Sequence, residues 1–296
     1  MNLPRTSKVI LITGCSSGFG LLTAARLAAK GHIVFATMRN LEKSQALLGE
    51  AQKRNATLRL LQLDVTDNLS IQKAVSAIEQ EFNHIDVLIN NAGYGIGGFF
   101  EDLSEEDIRR QMETNFFGAQ NVTRQVIPAM RRQGEGKIIN ITSVAGLYGL
   151  PGFGAYNASK WALEGFSESL YYELKLFGIK VCLVEPGTYR TKIFDENRRY
   201  AANYNNPNSP YYHYSQHLKQ RVDEHVKASR RDPEDIAILI ERLVNSSNPP
   251  FRNIPDLKSK ITYTLRHFLP FRVFSGILYK GMLLGMKKPK TVSPSN

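Results

Sequence analysis

A glycine-rich turn lies between an apolar run and a helix-forming run near the start of this 296-residue chain, and that order restricts the fold more than any other feature. Lys8 to Ile12 reads Lys-Val-Ile-Leu-Ile, a short apolar segment suited to a buried strand. Thr13-Gly14-Cys15-Ser16-Ser17-Gly18-Phe19-Gly20 follows at once. Leu21 to Lys30 is rich in Ala, Leu and Arg and predicts a helix, with Gly31 as its stop. A strand, a glycine turn and a helix N-terminus together make an anion site that suits a dinucleotide pyrophosphate. The glycines permit the tight turn and the close approach of backbone to ligand.

The next two hundred residues alternate in the same way. Strands are expected at His32 to Met38, Leu58 to Leu63, Ile85 to Ile89, Lys137 to Thr142 and Lys180 to Val184. Between them, Leu41 to Asn55, Ser70 to Phe82, Glu105 to Arg132 and Ala155 to Phe177 have helical periodicity. Thr66-Asp67 is a cap signal, and Asp232-Pro233-Glu234-Asp235 starts a further helix. This alternation predicts an α/β fold, a doubly wound parallel sheet with helices on both faces. Ligands bind beyond the carboxyl ends of the strands in such sheets. Asp64, Asn90-Asn91-Ala92-Gly93, Ser143 and Pro186-Gly187 all fall at those ends.

Tyr156 and Lys160 stand four residues apart on the helix after the fifth strand, so phenol and ammonium share a face. A free tyrosine titrates near 10, and a neighbouring cation favours its phenolate. Ser143, thirteen residues before Tyr156, can hold a substrate oxygen opposite the phenol. Together they make a proton-transfer site for an alcohol or a carbonyl. The spacing alone proves little, because Tyr171 and Lys175 repeat it. The second pair lacks a serine thirteen residues upstream, where Ala158 stands.

In combination these residues resemble the short-chain dehydrogenase/reductase family, over roughly Lys8 to Leu243. The chain has that family's Thr-Gly-x-x-x-Gly-x-Gly turn at 13–20, Asn-Asn-Ala-Gly at 90–93 and Asn115 within Thr-Asn-Phe-Phe-Gly. The serine, the Tyr-x-x-x-Lys and the Pro-Gly follow in order. The resemblance implies a Rossmann-type domain over 1–245, with a substrate lid at about 192–231 and a basic, apolar C-terminal extension at 246–296. It implies Tyr156 as general acid/base and Lys160 as the group that lowers the tyrosine's proton affinity and holds the nicotinamide ribose. Ser143 orients the substrate oxygen, and Asn115 supports a water chain to the lysine. Asp64 and Asn91 are expected at the adenine end, and Thr191 at the phosphates or carboxamide. The full cofactor set so implied is Gly14, Ser16, Ser17, Gly18, Phe19, Gly20, Arg39, Asp64, Val65, Asn91, Ala92, Gly93, Tyr156, Lys160, Pro186, Gly187, Tyr189 and Thr191, with no metal.

The second strand ends Thr37-Met38-Arg39-Asn40, without the acid that would hold a ribose 2′-hydroxyl. Arg39 stands where a guanidinium can clamp a 2′-phosphate, so NADP(H) is the expected cofactor. A non-catalytic nucleotide-sensing protein on this fold should lack Ser143, Tyr156, Lys160 or Asn115, and all four are present. A sugar-nucleotide epimerase or dehydratase usually wants a larger substrate domain and another glycine spacing. Two cysteines, Cys15 and Cys182, imply no disulfide framework. The first strand follows the N-terminus closely, which leaves no room for a signal peptide, and the expected compartment is the cytoplasm.

Arg252 to Asn296 carries nine Lys/Arg against one acid, Asp256, which is +8 of the chain's +11. Its apolar run, Val273 to Met286, is too short to span a bilayer. Peripheral contact with an anionic membrane, a cap over the substrate mouth and packing in a homodimer are the three uses such a tail can have. Nucleic-acid binding is not expected, for want of a recognition motif. Pro249-Pro250-Phe251-Arg252, Leu265-Arg266 and Leu269-Pro270 resemble the ends of retinol and 17β-hydroxysteroid dehydrogenases. Those proteins commonly have Arg-Tyr, then Gly and Asp, where this chain has Arg252-Asn253 and Pro255-Asp256-Leu257. The expected substrate is therefore an apolar alcohol or carbonyl rather than a named steroid or retinoid. Gly95 to Phe100 and Leu147 to Phe153 are expected to line its site.

Overall fold

The computed structural model describes residues 7–191 and 198–283. Seven parallel strands form its sheet in the order β3-β2-β1-β4-β6-β7-β9. They are β1 (Val9–Ile12), β2 (Ile33–Met38), β3 (Arg59–Gln62), β4 (Val87–Asn90), β6 (Gly136–Ile141), β7 (Ile179–Val184) and β9 (Arg252–Asn253). A separate parallel pair joins β5 (Ile96–Gly97) to β8 (Arg199–Tyr200). The chain runs outward from β1 to β3, then returns so that β4 pairs with β1 on its other side. That reversal between β1 and β4 is the switch point where such sheets open a crevice.

Both faces of the sheet are covered because alternate strand residues point opposite ways. Ile10 and Ile12 join α1 (Gly18–Ala29), α2 (Gln45–Lys53) and α8 (Glu234–Asn245) in one buried cluster. Val9 and Leu11 join α3 (Asn68–Phe82), α5 (Gly118–Gln133) and α6 (Gly154–Lys175) in the other. Truncating a fully buried residue such as Ile10 or Leu11 to Ala should cost about 2–5 kcal/mol. Asp67 caps α3 as the sequence predicts, accepting from Leu69 N at 2.9 Å.

The single helix expected over Glu105 to Arg132 is two helices. Here α4 (Glu105–Met112) and α5 are joined by a π-helical turn, Glu113–Phe117. The wider turn holds Asn115, and such bulges are frequent at functional sites. The extension beyond residue 245 also enters the sheet. Arg252 and Asn253 pair in register with Leu183 and Val184, which makes β9 the seventh strand. A two-residue strand bounded by Pro250 and Pro255 has no periodicity to reveal it.

Beyond β9 come α9 (Leu257–Phe268) and α10 (Phe271–Leu283). Within the expected lid, 192–197 lies outside the described residues. The remainder holds β8 and α7 (Tyr212–Ala228). Asp107 fastens this cover to α4, accepting from Ser104 N within a capping box and from Ala202 N at 3.3 Å.

Candidate active site

The glycine turn follows β1 directly and is pressed against the segment after β4. Gly14 has φ +72°, and a Cβ there would lie 2.7 Å from Ala92 Cα. A Cβ on Gly20 would lie 2.3 Å from Asn91 Nδ2. No side chain larger than hydrogen fits at either place. Asn91 is the brace: its Nδ2 donates to Thr13 O and Gly14 O, both at 2.9 Å. Thr13 Oγ1 accepts from Asn91 N and Ala92 N at 3.0 Å. The side chain expected at the adenine end is thus committed to shaping the turn. Helix α1 begins at Gly18 with no acid in its first turn, which leaves its positive end suited to an anion.

Phe19 packs edge-on against buried Tyr189, their centroids 5.5 Å apart. Thr191 faces Gly18. Asp64 sits beside Val65 after β3 and accepts from Thr66 N and Oγ1. Arg39, exposed at the end of β2, lies 4.0 Å from Asp64. The guanidinium therefore reaches the rim where the adenosine ribose of a dinucleotide would lie, and an acid reaches the same rim from β3.

Ser143 leaves the end of β6 in extended backbone, φ −174°. Its Oγ accepts from Ala145 N at 3.1 Å and leans on Pro186 O at 3.4 Å. Tyr156, in the first turn of α6, brings its phenol close enough to Ser143 for the two hydroxyls to interact. Its ring edge is near Gly95, where a Cβ would touch it at 3.7 Å. One turn on, Lys160 donates from Nζ to Ile141 O at 2.9 Å and lies 5.9 Å from the Tyr156 ring centroid. Asn115 Nδ2 donates to Tyr94 O and to Ser159 Oγ, while its Oδ1 accepts from Tyr94 N. Gly93 is wedged between Asn115 and Lys160: a Cβ on it would lie 3.1 Å from Asn115 Oδ1 and 3.8 Å from Lys160 Nζ.

The electrostatics differ from the sequence expectation. Burial raises the Tyr156 phenol above its ordinary value, and the interaction with Ser143 offsets part of that. The lysine is not what lowers it here. Burial pulls Lys160 itself down to about 8, with Glu164 opposing. At neutral pH the phenol keeps its proton and Lys160 remains mostly an ammonium. The second pair is structural. Tyr171 packs on Phe251 at 5.1 Å between centroids, and Lys175 is exposed at the helix end.

Sequence reasoning missed an ionic cluster behind the site. Arg252 on β9 bonds Glu164 of α6 at 2.6 Å and Glu185, just after β7, at 2.5 Å. Glu185 is fully buried, and burial holds its carboxyl up at about 7 despite the arginine. A glutamate between Val184 and Pro186, ending an apolar strand, was the available signal. Nearby, Asp256 caps α9 and pairs with Arg231 at 2.6 Å. A Cβ on Gly187 would lie 2.7 Å from Asp256 Oδ2. The chain's end therefore packs directly on the Pro-Gly of the site.

A profile of the short chain dehydrogenase family matches residues 8–201. This chain belongs to that family. It falls in the retinol dehydrogenase-like branch and is an oxidoreductase. It is 43% identical over 246 residues to the 3-ketodihydrosphingosine reductase of Bacteroides thetaiotaomicron, covering 83% of this chain and 86% of that one. It is 38% identical to human retinol dehydrogenase 8, covering 89% of this chain and 85% of the other. Among solved structures, a short chain dehydrogenase/reductase from Burkholderia phymatum in complex with NAD is 26% identical with a TM-score of 0.77, covering 90% and 95% of the two chains. Actinorhodin polyketide ketoreductase with NADPH is 29% identical with a TM-score of 0.71, covering 84% and 95%. These two solved structures share the fold described above.

Proposed function

We propose that this chain is an NADP(H)-dependent oxidoreductase that interconverts an alcohol and a carbonyl on an apolar, lipid-like substrate, with Tyr156 as general acid/base. The observation that carries the reading is the convergence of the Tyr156 phenol, Ser143 and Lys160 at the carboxyl edge of the sheet. The cradle of Gly14 and Gly20, the start of α1 and the Arg39 rim fit a dinucleotide. Lys160 and Asn115 fit its ribose end. When bound, the nicotinamide supplies or takes up the hydride.

The residues of the chain handle the oxygen and the proton. In reduction, Ser143 Oγ and the Tyr156 hydroxyl both bond the carbonyl oxygen, and the phenol passes its proton to that oxygen. The charge that develops on the phenol oxygen is stabilised by the Lys160 ammonium. A phenol held protonated by burial suits this direction at neutral pH. In oxidation the phenolate takes the alcohol proton, which requires higher pH. Lys160 loses its charge near pH 8 in the free chain, so reduction should slow above that value.

An apolar substrate is supported by what borders the site. Leu147, Tyr148, Ile254 and Phe274 form a separate buried cluster. Phe99, Phe153, Tyr200, Tyr204 and Leu218 line a narrow crevice beside β5, with Arg198, Ser215 and Lys219 among them. The two relatives act, by their names, on 3-ketodihydrosphingosine and retinol, and both molecules are largely apolar. Arg39 supports the phosphorylated cofactor. Initial rates with NADPH and NADH, measured against short ketones, a 3-keto sphingoid base and retinal, are the test. The reading expects the highest kcat/KM for a long-chain carbonyl with NADPH. Activity confined to small polar carbonyls, or to NADH, would overturn it.

A further inference from the structure

Among the described residues, seventeen large apolar side chains are exposed, and eight of them lie in α9 and α10 or in the turn between them. On α9 they fall at Leu257, Ile261, Leu265 and Phe268, spacings that place them on one helical face. On α10, Phe271, Val273, Ile277 and Tyr279 are also exposed. Leu257, Phe268 and Phe271 are 72%, 83% and 67% exposed, beyond what scattered surface residues require. Basic residues are interleaved with them: Lys258, Lys260, Arg266, Arg272 and Lys280, with no Asp or Glu from Leu257 to Leu283.

The opposite side of the same hairpin is packed. Phe274 stands edge-on to Tyr148, centroids 6.1 Å apart, and Tyr263, Leu269 and Leu278 join that cluster. Arg221 on α7 donates to Gly281 O at 3.0 Å. Tyr148 lies in the loop that begins with Ser143, so the hairpin is seated at the substrate side of the site. No helix among the described residues is long and apolar enough to cross a membrane. An apolar stripe with a basic, acid-free surround, anchored from behind, is the pattern of a segment that lies in a lipid interface.

We propose that α9 and α10 dock the protein on an anionic membrane surface, apolar stripe inserted and basic residues against lipid phosphates, with the substrate mouth turned to the bilayer. The docking stands on the surface itself. Only its use, admitting an apolar substrate laterally, rests on the functional reading above. The outer face is bound by lipid while the inner face closes the site, so membrane contact and capping are two sides of one hairpin. Deleting the tail would therefore open the Tyr148 cluster, and outward-facing point variants are the sharper tool.

Flotation of the full chain with vesicles of neutral phosphatidylcholine, or of phosphatidylcholine with phosphatidylglycerol, tests the proposal. Binding to the anionic vesicles at low salt should exceed neutral binding by about tenfold or more and fall as salt rises, because screening weakens the basic attraction. Ile261→Asp with Phe268→Asp should abolish flotation, while melting temperature and NADPH affinity stay unchanged. Lys258→Glu with Lys260→Glu should lose the preference for anionic lipid. The proposal is overturned if the intact chain does not float at low salt, or if the Ile261/Phe268 variant floats as well as wild type. It is equally overturned if light scattering shows a dimer that only that variant dissociates, since a second copy then covers the face. Turnover of a short soluble ketone is measured alongside. Turnover without flotation defeats the docking alone; flotation without turnover of any carbonyl defeats the functional reading alone.

Discussion

The two sides of the crevice are built in opposite ways. On the cofactor side, each group is delivered by a strand end and a turn that adjoin it in sequence: Gly14 after β1, Asp64 after β3, Asn91 after β4. The substrate side is assembled from pieces far apart. Arg252 reaches Glu164 across 88 positions, Asp107 reaches Ala202 across 95, and Phe274 reaches Tyr148 across the length of three strands and four helices. The first arrangement leaves short motifs, because turn chemistry is local. The second leaves almost none, since an ion pair or a ring contact constrains residue type weakly and sequence separation not at all.

Exchanging single atoms on the two tyrosines tests the contrast most strongly. Tyr156→Phe removes only the proton-transfer hydroxyl, and kcat should fall by about 10²–10⁴-fold with NADPH affinity nearly intact. Tyr171→Phe keeps the ring against Phe251 and should leave kcat within about twofold. Steady-state kinetics with a cofactor fluorescence titration reads both. Equal losses in the two variants would show that the local motif does not mark the site.

Arg252→Met probes the assembled side. It leaves Glu164 and Glu185 buried without their cation, a loss of about 3–5 kcal/mol. Thermal unfolding should show a marked fall in Tm, and Arg252→Lys should recover part of it. Activity should also drop, because Glu164 sits one turn after Lys160 and Glu185 adjoins Pro186. A variant as stable as wild type would mean that β9 is not held by this pair.

Glu185→Gln has a smaller effect with a defined sign. The Glu185 carboxyl is held at about 7 in the fold and returns to its ordinary 4.5 on unfolding. Between those values the unfolded chain gives up the proton first, so wild type loses stability as pH rises from 4.5 to 7. That loss should be on the order of 2 kcal/mol and absent in the glutamine variant. Denaturant unfolding at pH 5 and pH 8 compares them. Identical pH dependence in the two proteins would place the ionised Glu185 in a more solvated setting than the structure shows.

The smallest change is expected at the rim. On the proposed NADP(H) reading, Arg39→Ala should weaken NADPH binding by about tenfold and NADH binding far less, because the guanidinium would face only the extra phosphate. Asp64, 4.0 Å away, tempers the preference. A wild-type chain that prefers NADH would break the assignment of this rim.

Alternating apolar runs, glycine turns and the positions of Ser143, Tyr156 and Lys160 were legible from the chain alone. Each is dictated by neighbours a few residues away: a strand must be apolar to be buried, a turn under a helix must be glycine, and a face repeats every four residues. The π-turn that seats Asn115 was not legible, because helical periodicity runs unbroken through it. Nor was β9, whose partners lie on β7, or the Glu164–Arg252–Glu185 cluster. The protonated state of Tyr156 belongs with these. Spacing puts a cation beside the phenol, but the balance between that cation and desolvation depends on how deeply the fold buries both. Burial is a property of everything packed around a residue, and no local pattern encodes it.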